Sequence, residues 1–175
     1  MSRHVLIVGG SGMLSDVARA LARDDGRLSH LSRQASTVWG EDGYDCDYHD
    51  EAQFNAALEA ATSRAGRPDL AIAWFRTLKI AAPRRLAQAV DGRLFQVMGS
   101  AMADPERPDR LETAAAIAEG LDCCQLRQVV LGFRVESGAS RWLNHGEIAS
   151  GVLDAITADR AFSVIGQVEP WSARP

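Results

Sequence analysis

Lysine is almost missing from this chain: of 19 Lys and Arg residues only Lys79 is lysine, and the only tyrosines are Tyr44 and Tyr48. A mechanism that needs a tyrosine and a lysine side by side in the later part of the chain is excluded by inventory alone. Positive charge is also thin. The formal net charge is -4 and no dense Lys/Arg tract occurs, which argues against nucleic acid as a ligand. Long apolar runs are lacking too, the longest falling far short of the ~20 residues of a bilayer helix, so no membrane span is expected. The first strand starts too early for a leader, and the cytoplasm is the expected compartment. Three cysteines, Cys46, Cys123 and Cys124, suit neither a disulfide framework nor a zinc site. They read as small apolar residues in a reducing compartment.

What is present is the composition of an ordinary globular domain, 46% hydrophobic and 24% charged over 175 residues, and one domain is expected over 1–175. Strand-like and helix-like segments alternate from end to end, the pattern of a parallel sheet covered by helices on both faces. In "HVLIVGGSGMLSDVARAL", Val5 to Val8 is an apolar strand, and Met13, Leu14, Val17, Ala18 and Leu21 recur at helical spacing. Asp50 with Gln53, and Asn144 with Glu147, have the spacing of capping boxes. "RQASTVWGEDGY" is too short for a full crossover helix, and "QLRQVVLGFRV" reads as one sixth strand. About seven strands and six helical segments are predicted.

Between the first strand and the first helix, Gly9, Gly12 and Ser15 fall at a G-x-x-G-x-x-small spacing. Gly9 permits the sharp exit from the strand, Gly12 lets the backbone approach a pyrophosphate, and a small third residue lets helix pack on strand. Ser11 adds a hydroxyl, and the amides of Gly12, Met13 and Leu14 are placed to meet an anion. A mononucleotide P-loop is excluded, since no Gly-Lys-Ser/Thr follows. The alternative is a tight strand-to-helix turn without a ligand.

In adenine dinucleotide sites a carboxylate at the end of the second strand takes the ribose 2′-hydroxyl, whereas an arginine there accommodates a 2′-phosphate. The second strand here ends "HLSRQ", with Ser32 and Arg33 and no acid beside them. NADP is therefore favoured over NAD, and S-adenosylmethionine is disfavoured. An arginine also ends strands simply to stay solvated.

These segments resemble the short-chain dehydrogenase/reductase superfamily over nearly the whole chain, in particular short, atypical members sharing "GGSGML", "RWL", an Asn- or Thr-capped "EI" and the ending "EPW..RP". The resemblance implies a doubly wound Rossmann sheet in the order 3-2-1-4-5-6-7 and a nicotinamide cofactor. "DCDYHD" is similar to the segment whose aspartate meets the adenine, which would be Asp47. "DLAIAWF" stands where the superfamily has Asn-Asn-Ala-Gly under the cofactor ribose, giving that place to Ala73 and Trp74. "GRLFQVMGS" looks like the strand carrying the catalytic serine, which would be Ser100. "VVLGFRV" resembles the Pro-Gly segment beside the nicotinamide, with Gly132 kept. A homo-oligomer is implied by resemblance alone.

One departure is informative. The superfamily's Tyr-x-x-x-Lys would fall around Thr113 to Ile117, and neither residue type occurs there. The usual proton donor and the lysine that tunes it are both lacking. The expected activity is thus an NADP-dependent reduction of a small conjugated acceptor, such as a flavin, quinone or tetrapyrrole, that collects its proton from water. The rival is a non-catalytic NADP(H) sensor or scaffold. Arg76, Thr77 and Lys79 follow the fourth strand, where Arg76 could clamp an anionic substrate or stay solvated. Arg141, Trp142 and His145 precede the sixth helix and could form a wall or lid; the alternatives are a core anchor for Trp142 and an exposed first-turn residue for His145. Adjacent residues of "DCDYHDE" point to opposite faces, so no metal site is expected.

Overall fold

In the computed structural model, which describes residues 3–22 and 26–175, β1 (His4–Val8) is buried along its whole length. Its side chains alternate between two layers with the period of two that a strand imposes: Val5 and Ile7 enter one apolar cluster, Leu6 and Val8 the other. A strand coated on both faces is what a continuous apolar run such as "VLIV" predicts. The first cluster also takes Val17, Ala18 and Leu21 of α1 (Ser15–Leu21) and Ile148, Val152 and Ile156 of α6 (His145–Ala158). The second takes Phe54, Leu58 and Ala61 of α3 (Glu51–Ala65) and Leu86 of α4 (Ala82–Ala89). Truncating a fully buried member such as Phe95 or Ile72 would cost about 2–5 kcal/mol in transfer energy and cavity formation.

The main sheet has seven parallel strands: β3 (Gly43–Asp45), β2 (Arg27–Ser32), β1, β4 (Leu70–Trp74), β5 (Gly92–Gly99), β6 (Cys124–Leu131) and β9 (Phe162–Ile165), in that spatial order. With β9 as the seventh member, this is the order expected from the sequence. Val8 sits between Leu31 of β2 and Ala73 of β4, so the chain leaves β1 to one side and later returns to the other. The reversal opens a crevice at the carboxyl ends of β1 and β4, where open α/β sheets bind ligands.

Several boundaries differ from the sequence reading. The segment after β2 forms α2 (Ala35–Trp39) and a 3-10 turn, a single short helix as its length allowed. Pro83 occupies the second position of α4, inside the first turn, where its missing N–H breaks no helical hydrogen bond. α5 (Asp109–Ala115) runs into a 3-10 turn over Ala116–Ala118. The main correction concerns "QLRQVVLGFRV", which is not one strand. β6 stops at Leu131, and β7 (Phe133–Glu136) pairs antiparallel with β8 (Ala139–Trp142) as a separate hairpin. Gly132 lies at the break, where a Cβ would overlap the Gln167 carbonyl oxygen. Ser137 and Gly138 both have positive φ, 52° and 80°, the signature of a tight two-residue hairpin turn.

α6 carries the complete capping box. Asn144 Oδ1 accepts from Glu147 N–H and Glu147 Oε2 accepts from Asn144 N–H, each at 2.9 Å. The box at α3 is only half made. Asp50 accepts from Gln53 N–H, but Gln53 Oε1 takes the Asp47 amide and leaves that of Asp50.

Candidate functional site

Two cavities lie along the carboxyl ends of the strands, and they share Met13 and Trp74. The first, about 740 Å³, is walled by the glycine turn, the end of β2, the segment after β3 and Arg76. The second, about 330 Å³, is bounded by Gly99 to Ala101 after β5, Leu131 and Gly132, Trp142, His145 and Arg174. Trp74 links them. An added Cβ at Gly9 would lie 3.6 Å from its Cβ, and one at Gly99 would lie 3.5 Å from the far end of its indole.

The glycine turn begins at Gly9, whose φ of +88° an L side chain rarely adopts. Its N–H donates to the Leu31 carbonyl, anchoring the turn on β2. Gly12 does something different. A Cβ built there meets only Gly9 O at 3.9 Å, so its bareness serves the cavity and not the packing. One expectation is corrected: the Gly12 N–H is spent on the Gly9 carbonyl inside the turn, leaving Met13 and Leu14 with amides that have no backbone acceptor among the described residues. Gly10, unremarked in the sequence pattern, is the packing glycine, since a Cβ there would lie 3.0 Å from His30 Nδ1 and 3.1 Å from Ile7.

Beside the turn, Ser11 Oγ donates to Ser32 Oγ at 2.7 Å, tying the loop to the end of β2. Ser32, Arg33 and Asp47 line the first cavity with Gly9, Ser11, Gly12, Met13 and Trp74. Arg33 and Arg76 are exposed, and neither enters an ion pair among the described residues. Asp47 Oδ1 accepts the His49 amide at 2.9 Å. Tyr48, which abuts Phe75 edge-on, and His49 complete the far wall. Burial pushes the Cys46 thiol up to about 11, leaving it an apolar wall and not a nucleophile.

Not every residue singled out in the sequence reaches a cavity. Leu14 and Ala73 are buried in opposite core layers and line neither. Arg76 is exposed and lines the first cavity, whereas Ser100 lines the second. Thr77 and Lys79 line neither cavity, the Thr77 hydroxyl accepting the Lys79 amide. Trp142, 47% exposed, is a wall of the second cavity and not a core anchor. No residue of α5 lines either cavity. Among the described residues no group of three or more His, Cys, Asp or Glu could hold a metal ion, and no helix is long and apolar enough to cross a membrane.

Ser100 is 4% exposed and opens the 3-10 turn after β5. Its Oγ accepts a hydrogen bond from Arg174 Nε at 2.9 Å, so its own hydrogen remains free to donate into the second cavity. Arg174, with Gln34, Tyr48 and His49, is a site residue that the sequence reading missed. Arg174 lies in the ending "EPWSARP", and nothing local ties that segment to a serine 74 residues away.

The hairpin is fastened to α6 by Glu147, which accepts two hydrogen bonds from Arg141 at 2.9 Å and one ion-paired contact from Arg134 at 2.7 Å. Arg141 above all, then the Asn144 amide, holds the Glu147 carboxyl down at about 2. This clamp sets the end of β8 and hence Trp142 at the rim of the second cavity.

No sequence-family model and no curated protein sequence matches this chain. Solved structures do. A variant of actinorhodin polyketide ketoreductase with NADPH superposes with a TM-score of 0.68 at 14% identity, covering 95% of this chain and 97% of that one. The 3-ketoacyl-(acyl-carrier-protein) reductase of Brucella melitensis complexed with NADH gives 0.64 at 15% identity, over 93% and 95%. A short-chain dehydrogenase/reductase from Serratia marcescens gives 0.63 at 16% identity, over 93% and 94%. The likeness is one of architecture: this chain has the Rossmann fold of the short-chain dehydrogenases/reductases.

Proposed function

We propose that this chain binds NADP(H) across the two cavities, the adenosine half in the first and the nicotinamide half in the second, and reduces a small conjugated acceptor beside Ser100. The observation that carries the proposal is the pair of cavities joined through Met13 and Trp74 at the carboxyl ends of β1 and β4. That the ketoreductase holds NADPH and the Brucella reductase NADH supports a nicotinamide cofactor for the same fold here.

Each wall has a task. Gly12 leaves room for the diphosphate, and the Met13 amide supplies a donor. Arg33 and Ser32, with Arg76 across the cavity, supply unpaired positive charge and a hydroxyl for a 2′-phosphate. Asp47 and Tyr48 face the adenosine end. Bound NADPH would supply the hydride. Ser100, its oxygen already occupied by Arg174, donates a hydrogen bond to the acceptor. Neither tyrosine lines the second cavity to deliver a proton, so acceptors that are protonated by water, such as a flavin or quinone, suit the site better than a simple ketone.

A second reading is favoured by the silence of α5: the segment that resembles the bearer of the catalytic tyrosine and lysine contributes nothing to either cavity. The chain would then read NADP(H) without turning it over. Thermal melts with NADPH and NADH test the cofactor, since a ligand at about a hundred times its Kd adds about 2.7 kcal/mol of stability. NADPH stabilising more than NADH supports the proposal; no shift with either overturns it. Consumption of NADPH with a panel of flavins and quinones supports the reductase, and binding without consumption supports the sensor.

A further inference from the structure

Arg174 is an exposed residue in the segment after β9, a place where an arginine is ordinarily loose in solvent. Here its guanidinium is held on three sides. Nε donates to Ser100 Oγ at 2.9 Å, and the rings of Trp142 and Trp171 each lie 5.1 Å from Cζ. Stacking on indoles and an in-plane hydrogen bond remove much of the freedom such a side chain keeps.

What the guanidinium does not have is an anion. Its two Nη nitrogens, which carry the rest of its donors, have neither a hydrogen-bond acceptor nor an ion-pair partner among the described residues. In a chain with 23 acidic residues, none lines the second cavity. Apart from the polar side chains of Ser100 and His145, its walls are apolar or aromatic, with Trp74, Trp142, Leu131 and Ile148 among them. A positioned, unneutralised fork beside aromatic walls matches a planar carboxylate, which an arginine binds through two parallel hydrogen bonds.

We propose that Arg174 is the specificity-determining residue of the second cavity, binding the carboxylate of a small aromatic or conjugated acid whose flat body rests against Trp142 and Trp74. A cavity of about 330 Å³ has room for a one-ring acid. Ser100, with its hydrogen unspent, is a second donor for the same ligand. The proposal rests on taking this cavity as the acceptor end of the dinucleotide site, and its test needs no turnover.

Benzoate and benzamide, the same ring with and without the charge, are titrated into the full chain in the presence and absence of NADPH and followed by tryptophan fluorescence and calorimetry. Benzoate should bind at least about tenfold more tightly than benzamide, as expected for a charge-assisted pair. Arg174→Gln should abolish that preference, and Arg174→Lys, which keeps the charge without the fork, should restore only part of it. Circular dichroism spectra of both variants should match that of the unchanged chain, which shows them folded. No benzoate binding, equal affinity for the two probes, or a preference that survives Arg174→Gln overturns the proposal. Failure of the unchanged chain to bind NADPH overturns the dinucleotide reading instead, and the benzoate titration without NADPH still decides the role of Arg174.

Discussion

His30 lies flat on Trp39, ring centroids 4.0 Å apart and planes 6° from parallel, with neither His30 Nδ1 nor Trp39 Nε1 hydrogen-bonded among the described residues. His30 packs directly behind Gly10 of the glycine turn. Burial pushes the His30 imidazole down to about 4, so it is neutral in the folded chain. The unfolded chain takes up this proton near 6.5, so stability from this group is full above 6.5 and is lost as pH falls toward 4, by about 3 kcal/mol at most. His4, also lowered mainly by burial, acts with the same sign. His30→Phe keeps the stack without the titration. Urea melts between pH 7 and 4 should show a shallower acid loss in that variant than in the unchanged chain.

Neighbouring glycines should separate folding from binding. Gly12→Ala adds a methyl group in open space over the cavity, so its melting temperature should stay close to that of the unchanged chain while NADPH affinity falls by an order of magnitude or more. Gly10→Ala drives the same methyl against His30 and Ile7 and should cost about 1–3 kcal/mol in overpacking. Equal affinity in Gly12→Ala and the unchanged chain would remove the diphosphate from this turn.

The elements legible in the sequence were those whose causes are local. β1, the positive φ at Gly9 and the Asn144–Glu147 box each follow from residues within a few positions of one another. The sheet order followed from the strand-helix alternation and from resemblance. The hairpin was missed because "VVLGFRV" is apolar enough to read through Gly132, although the Ser-Gly pair at 137 and 138 was a usable turn signal. What Gly10 and Gly132 avoid, His30 and Gln167, is distant in sequence, so their packing roles had no local sign. Arg174 falls in the shared ending "EPW..RP", but its role has no local sign, because it comes from Ser100, Trp142 and Trp171 meeting around it.

Arg33 should select between the two nicotinamide dinucleotides. It carries no ion pair among the described residues and lines the cavity beside Ser32, so a 2′-phosphate would be its first anionic partner. Loss of one charge-assisted contact to phosphate is worth about 1.5–3 kcal/mol, so Arg33→Ala should weaken NADPH by about ten- to a hundredfold and leave NADH nearly unchanged. Isothermal titration with both cofactors checks this. If only Arg76→Ala shows the effect, the phosphate is held from the β4 side of the cavity.

Glu147 should influence the second cavity without lining it. Its carboxylate closes the cap of α6 and holds Arg141 and Arg134 of the hairpin, and the end of that hairpin supplies Trp142 to the cavity. Glu147→Gln keeps the size and part of the cap but loses the charge that holds both arginines. The melting temperature should fall, and benzoate affinity should fall with it if Trp142 is no longer held against Arg174, while NADPH contacts in the first cavity are spared. The pH dependence tells this group from His30. A carboxyl held at about 2 stabilises the fold above its ordinary value near 4.5, and that stability is lost as pH falls from 4.5 toward 2. The difference in melting temperature between Glu147→Gln and the unchanged chain should therefore be constant from pH 7 to 5 and shrink only below that window, whereas the His30→Phe difference develops between 6.5 and 4.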